Sequence, residues 1–185
     1  MSCNSTSYVF DTPTQTNGVD FSQGNWLLNE VNVPYYLTEK ITAKAVEDFS
    51  ANLGSRLRYA PDTKGLLLPQ KEIQINPSKS VLSNLYIGTK YDYFINIKAS
   101  ENKNQFGSLD LTNHHLKTGN NVRESEVIIE IYDLKNTTII YSQKVIASVT
   151  QMKNSSDVAI SKSQYSMILG AYNRIIKDIN SKSVR

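Results

Sequence analysis

The chain has 185 residues, of which 39% are hydrophobic and 20% charged, and its formal net charge is +3. That length suits one domain, the apolar content is too high for a disordered chain, and the scattered lysines and arginines lack the concentrated stripe of a nucleic-acid binder. No run reaches the roughly 18 apolar residues of a membrane span, and a single cysteine, Cys3, excludes an internal disulfide framework and a cysteine-rich zinc site.

Cys3 sits among Ser2, Asn4, Ser5 and Thr6, with no core to pack into and no second thiol to pair with. This setting resembles the acylation point of a bacterial lipoprotein after its signal segment has been removed. It predicts a lipid anchor at Cys3 and an address in the cell envelope, anchored to the outer membrane and facing the periplasm or the cell surface. Residues 4–24 are rich in Ser, Thr, Asn, Gln and Gly. They read as a flexible linker, the alternative being a short edge strand at Tyr8–Phe10, so the expected division is a tail over 1–24 and one domain over 25–185.

Trp26–Val31 is a compact apolar run of strand length between Gly24 and Pro34. Thr38 then caps a helix expected to run to about Tyr59, its face made by Ile41, Ala45, Val46, Phe49, Leu53 and Leu57 at steps of three and four. Ala60-Pro61 stops it, because the residue before proline disfavours helical geometry. Leu66-Leu67-Leu68 reads as a buried strand halted by Pro69, with Ile73 and Ile75 extending it past a bulge. Asn76-Pro77 predicts a short helix with Asn76 as cap and Pro77 as first residue. Val81, Leu82 and Leu85 face inward, and Gly88 ends it.

From Tyr91 the period becomes two. Tyr91, Tyr93, Ile95, Ile97 and Ala99 share one face of a half-buried strand; Asp92, Asn96, Lys98 and Ser100 share the other, with Phe94 its one apolar member. Residues 101–123 lack periodicity and read as a long mobile loop. Glu126–Tyr132 and Thr137–Thr150 alternate on either side of Asp133-Leu134-Lys135-Asn136, which is turn chemistry, so they form a long hairpin. After a polar break at 153–157, Ser161 and Gln164 have capping-box spacing. The helix beyond carries one stripe: Tyr165, Ile168, Leu169, Tyr172, Ile175, Ile176 and Ile179.

The order β-α-β-α-β-β-β-α predicts an α/β fold, a two-layer sandwich with helices packed on a mixed β-sheet. The candidate sites each meet a structural alternative. His114-His115 is the only histidine pair, but adjacent side chains diverge and Asp110 is the only nearby acid, so solvated loop outweighs metal site. Gly88-Thr89-Lys90 lacks the upstream glycine of a phosphate loop and leaves a helix where such a loop enters one. No serine stands in a G-x-S-x-G setting. Glu126 and Glu130 share a strand face, but charged outer faces are ordinary. Tyr35, Tyr36, Tyr86 and Tyr132 are aromatics that either bind a partner or fill the core.

With these elements placed, the chain resembles the small α/β domain of bacterial envelope lipoproteins: the activators of penicillin-binding proteins, the curli-secretion lipoprotein and the amino-terminal domain of the Tol system's periplasmic protein. The resemblance runs from residue 25 to about 181. It rests on Thr38–Tyr59 as first helix, on Lys64-Gly65-Leu66-Leu67-Leu68-Pro69, on Leu82 through Ile95 as short helix, glycine and strand, and on the hairpin and last helix. It implies a non-enzymatic adaptor without cofactor or metal, bound to the membrane by its lipid and to another envelope protein or a surface polymer. Tyr35, Tyr36, His114 and His115 are the expected partner-binding residues and Cys3 the lipidation site. The competing classes are a small-ligand binding module and a hydrolase using the 101–123 loop.

Overall fold

The computed structural model describes residues 6–11, 18–66, 73–102, 121–151 and 163–184. In chain order the elements are β1 (Ser7–Phe10), β2 (Trp26–Leu28), α1 (Thr38–Leu53), β3 (Leu57–Tyr59), α2 (Lys79–Thr89), β4 (Tyr93–Asn102), β5 (Asn121–Asp133), β6 (Thr138–Gln151) and α3 (Gln164–Lys182). The strands make one sheet in the order β1-β6-β5-β4-β2-β3. β1, β6, β5 and β4 pair antiparallel, while β4, β2 and β3 run parallel. The expected α/β sandwich on a mixed sheet is therefore what the chain forms.

Alternation decides which side chains go inside. Ile95, Ile97 and Ala99 of β4, Val127, Ile129 and Ile131 of β5, and Tyr141, Val145, Ala147 and Val149 of β6 share one buried face. Against it lie Ile41, Ala45, Phe49 and Leu53 of α1 and Met167, Ile168, Ala171, Tyr172, Ile175, Ile176 and Ile179 of α3. Phe21 closes one end, its ring 5.2 Å from Trp26 and 6.5 Å from Phe49.

A second, smaller core lies on the opposite face of the sheet. Leu27, Phe94, Tyr132 and Leu134 meet Leu82 and Leu85 of α2, with Ile73 and Ala60. Crossover handedness explains the split. The chain leaves β2 for the outer strand β3 and then returns across β2 to β4, reversing its direction along the sheet. Right-handed crossovers in opposite directions place their helices on opposite faces. Phe94, the apolar exception on the polar side of β4, marks where α2 packs. The half-buried strand expected there is in fact covered on both sides around Phe94 and Asn96, which are 0% and 1% exposed.

Several boundaries differ from expectation. The amino-terminal segment is not a linker throughout. β1 pairs with β6 from Ser7↔Ser148 to Phe10↔Val145, and Val19 and Phe21 are buried. Val19 and Phe21 are also held by backbone bonds to Val184 at 3.1 and 3.0 Å, so the folded body begins before residue 25. α1 stops at Leu53 because Gly54 takes a positive φ of 55°, and Leu57 begins a strand instead of ending a helix. The residue before α1 is Leu37, so Thr38 is its first residue and not its cap. α2 is capped by Ser78, whose hydroxyl accepts from the Val81 amide, and ends on Lys90 in the left-handed region; Asn76 and Gly88 do neither job. Ser163, not Ser161, caps α3. Of the strand expected at Leu66–Leu68 with Ile73 and Ile75 beyond it, Leu66, Ile73 and Ile75 are not strand and Leu67–Leu68 lie outside the described residues, as do the polar break at 153–157 and positions 103–120 of the expected loop; Glu101–Asn102 and 121–123 are strand.

Candidate functional site

The reversal of chain direction creates a crevice at the carboxyl ends of β2 and β3, because the helices that follow them depart to opposite faces. In open α/β sheets that switch point is where ligands bind. Two adjoining hollows occupy it. One, of about 510 Å³, is lined by Asn29, Glu30, Val31, Asn32, Val33, Tyr35, Thr38 and Ile73. The other, of about 570 Å³, is lined by residues of α1 from Thr38 to Glu47, and by Tyr59 and Asp62. Thr38 belongs to both.

Pro34 precedes a single 3-10 turn, Tyr35–Leu37, which leads straight into α1. The turn buries Leu37 and leaves Tyr35 95% and Tyr36 59% exposed at the rim. The Tyr36 hydroxyl donates to the Glu101 carboxylate, which joins the rim to β4. The Gln164 amide, oriented to donate, reaches the same carboxylate at 2.9 Å, bringing the first turn of α3 to this end of the sheet.

The wall at Ile73 is held from below by buried polar side chains. Asn29 and Asn96, 5% and 1% exposed, bond to each other at 3.0 Å. Their amides also reach the Ile73 carbonyl at 3.4 and 3.2 Å, and Asn96 donates to the Gln74 carbonyl at 2.9 Å. Next in register with Asn96 is Glu130, 5% exposed. It accepts from the Asn76 amide at 2.8 Å and from the Tyr132 hydroxyl. Burial holds the Tyr132 phenol well above its ordinary range, and the Glu130 carboxylate adds to the effect. These groups tie residues 73–76 onto the sheet. Glu130→Ala would leave the Tyr132 hydroxyl without its acceptor and the Asn76 amide with only its 3.2 Å bond to that hydroxyl, at a cost of about 1–3 kcal/mol. Glu130→Gln keeps a carbonyl acceptor and should cost less; urea midpoints of the two variants check the order.

On the other side of the crevice, burial raises the Tyr59 phenol above its usual value. The Thr42 hydroxyl and the Val31 backbone oppose that shift, and the carboxylates of Glu30 and Asp62 reinforce it.

Of the expected site residues, Tyr35 and Tyr36 stand together at the crevice rim. Cys3, His114 and His115 lie outside the described residues. Tyr132 is not a surface tyrosine but 2% exposed in the second core, and Tyr86 packs against the same core. Glu126 and Glu130 are not a solvated pair. Glu126 accepts from Ser100 at 2.8 Å, and Glu130 is buried in the hydrogen bonds that hold residues 73–76, a strap across the sheet. The sequence reading passed over Asn29, Asn96 and Glu30. The one available signal was Phe94, whose place on the polar face told of a cover there.

No protein-family model matches the chain, and no curated protein matches it. Among solved structures it is similar to PelC from Paraburkholderia phytofirmans, described as a dodecamer, at 10% identity and a TM-score of 0.44, covering 98% of this chain and 100% of that one. It is also similar to a lipoprotein from Neisseria meningitidis, at 13% identity and a TM-score of 0.43 over 84% and 99% of the two chains. A third likeness is to a putative neuraminyllactose-binding hemagglutinin homolog from Helicobacter pylori, at 9% identity and a TM-score of 0.33 over 92% and 88%. Similarities of this size carry no argument about partner or chemistry.

Proposed function

We propose that the chain is the binding domain of a bacterial cell-envelope lipoprotein, anchored by lipid on Cys3, which recognises another envelope protein through the switch-point crevice without catalysing a reaction. The observation that carries this reading is Tyr35, 95% exposed on a short turn at the crevice rim. An aromatic ring held wholly in water, on a turn fixed by Pro34 and by the buried Leu37, loses little further entropy on binding and has most of its apolar area left to bury. The carboxylates with the most obvious chemical potential, Glu126 and Glu130, are instead engaged in holding strands and strap together. The anchor reading rests on Cys3 and its polar neighbours. Four residues lead from Cys3 to the paired Ser7, a reach of at most about 14 Å, so a lipid there would hold the sheet close to the bilayer.

The test is fractionation and capture with the precursor expressed in a bacterium. The acylated protein is expected in the membrane fraction and Cys3→Ser in the soluble one, since two or more acyl chains give stable attachment. Tyr35→Ala should stay on the membrane and retain less than about a tenth of the captured partner, a loss on the scale of a modest hot spot. Membrane partitioning unchanged by Cys3→Ser rejects the anchor, and capture unchanged by Tyr35→Ala rejects the crevice.

A further inference from the structure

β3 is shorter than the stretch beside it. Its last residue, Tyr59, registers with Leu28, after which the chain turns away through a 3-10 turn at Ala60–Asp62. The chain after β2 does not turn away. Asn29 donates to the Ile95 carbonyl at 2.9 Å, Asn32 donates to Ile97 at 3.0 Å, and Ala99 donates to Asn32 at 2.8 Å. Residues 29–32 thus continue along β4, with an isolated parallel bridge at Asn32↔Lys98. Among the described residues the sheet is one strand narrower beyond Tyr59, and the 510 Å³ hollow lies in that notch, lined by Asn29–Val33 themselves. The Asn29 amide and both backbone groups of Asn32 are turned to β4, while the Val31 backbone meets the hydroxyl of Tyr59, the last residue of β3.

Edge backbone in a hollow is the geometry of strand addition: main-chain bonds supply affinity, and pockets for alternate side chains supply selectivity. Charge gives the second half of the recognition. The residues lining the two hollows include Glu30, Glu39, Glu47 and Asp62, and among the described lining residues none is lysine or arginine, in a chain whose net charge is +3. Tyr35 and Tyr59 supply aromatic faces able to take a cationic head.

We infer that the notch beyond β3 receives an extended, lysine- or arginine-bearing segment of the partner protein, added as a strand alongside residues 30–33 with its basic side chains toward Glu30 and Asp62. This deepens the reading of the crevice as a protein-binding site and rests on it.

The experiment titrates the full chain with an end-blocked octapeptide alternating valine and lysine, and with a copy carrying glutamate for lysine, followed by backbone amide NMR. The expected result is shifts confined to residues 29–35 and 59–62 and affinity at least tenfold weaker for the glutamate peptide. Glu30→Lys, an exposed substitution that leaves the core untouched, should narrow or reverse that preference. Shifts elsewhere, equal affinity for the two peptides, or no response at millimolar peptide would overturn strand addition. If Tyr35→Ala still loses the captured envelope partner while the peptides leave the notch amides unmoved, the binding-domain reading stands and this inference is wrong.

Discussion

Truncating Ile175 to Ala is expected to destabilise the fold by about 2–5 kcal/mol, the range for emptying a buried large aliphatic site that can only partly collapse. Ile175 is 0% exposed, midway along the stripe that α3 presents to the sheet. Its surroundings are rigid. Tyr172 and Tyr141 are fully buried beside the stripe, and the Tyr141 hydroxyl is fixed by a 3.0 Å bond to Asp178. Neither aromatic can swing into the space that the three lost carbon atoms would leave. At about 2–4 °C per kcal/mol for a chain of this size, Tm should fall by roughly 5–15 °C. Leu169, on the half-buried flank of the same helix, should cost clearly less when truncated. Urea unfolding with an unchanged m-value would attribute the loss to the native core. A loss below about 1 kcal/mol, with partner binding abolished instead, would mean that α3 is an exposed docking helix and that its stripe faces a partner.

That stripe was readable because its information is local and long. Nineteen residues of α3 repeat the same face, and the β5–β6 hairpin repeats a period of two around an Asp-Leu-Lys-Asn turn. Such patterns survive any uncertainty at their ends. Shorter elements carry too few repeats to outvote their neighbours. Leu57 kept helical spacing with Leu53, yet Gly54 between them adopts a conformation that ends the helix and hands Leu57 to a strand. The glycine was visible, but the spacing argued against it. Ser78 and Lys90 displaced Asn76 and Gly88 as the limits of α2 for a related reason: Asn76 is drawn into a positive-φ position by its bond to Glu130, a residue 54 positions away.

The candidate site was legible only in part. Tyr35 and Tyr36 could be named as candidates from their chemistry, but the crevice beside them is a property of topology. It depends on β3 being the outer strand and on α1 and α2 taking opposite faces, which no window of sequence expresses. The buried polar strap is harder still. Asn96 and Glu130 alternate with apolar residues as any solvated face would, and only the return of residues 73–76 over that face turns them into interior groups. Their burial is tolerable because each meets hydrogen-bond partners, and those partners are mostly backbone atoms, whose positions are set by the whole fold.

Deleting residues 1–11 is expected to lower Tm by roughly 5–10 °C, where a linker would have been removed without effect. β1 contributes four backbone-paired residues to β6, and Tyr8 and Phe10 pack on the main core half-buried. Two such aromatics are worth about 2–3 kcal/mol at half the value of full burial, which sets the size of the shift. The exposed Asp11–Lys144 pair adds little. Tyr8 also lies against α3: its ring sits 4.0 Å from the Arg174 guanidinium, and a Cβ at Gly170 would fall 2.2 Å from its hydroxyl oxygen. That contact permits a test that deletion alone cannot supply, because loss of any eleven residues could perturb folding. In the full chain, Gly170→Ala should destabilise, since the Tyr8 ring must leave its seat on the helix. In the chain lacking residues 1–11 the same substitution should stabilise by up to about 1 kcal/mol, the ordinary gain of alanine over glycine inside a helix. The reversal of sign is a coupling energy between β1 and α3. Equal effects of Gly170→Ala in the two backgrounds would show that β1 is not seated on α3, and that the amino-terminal segment behaves as the linker its composition suggests.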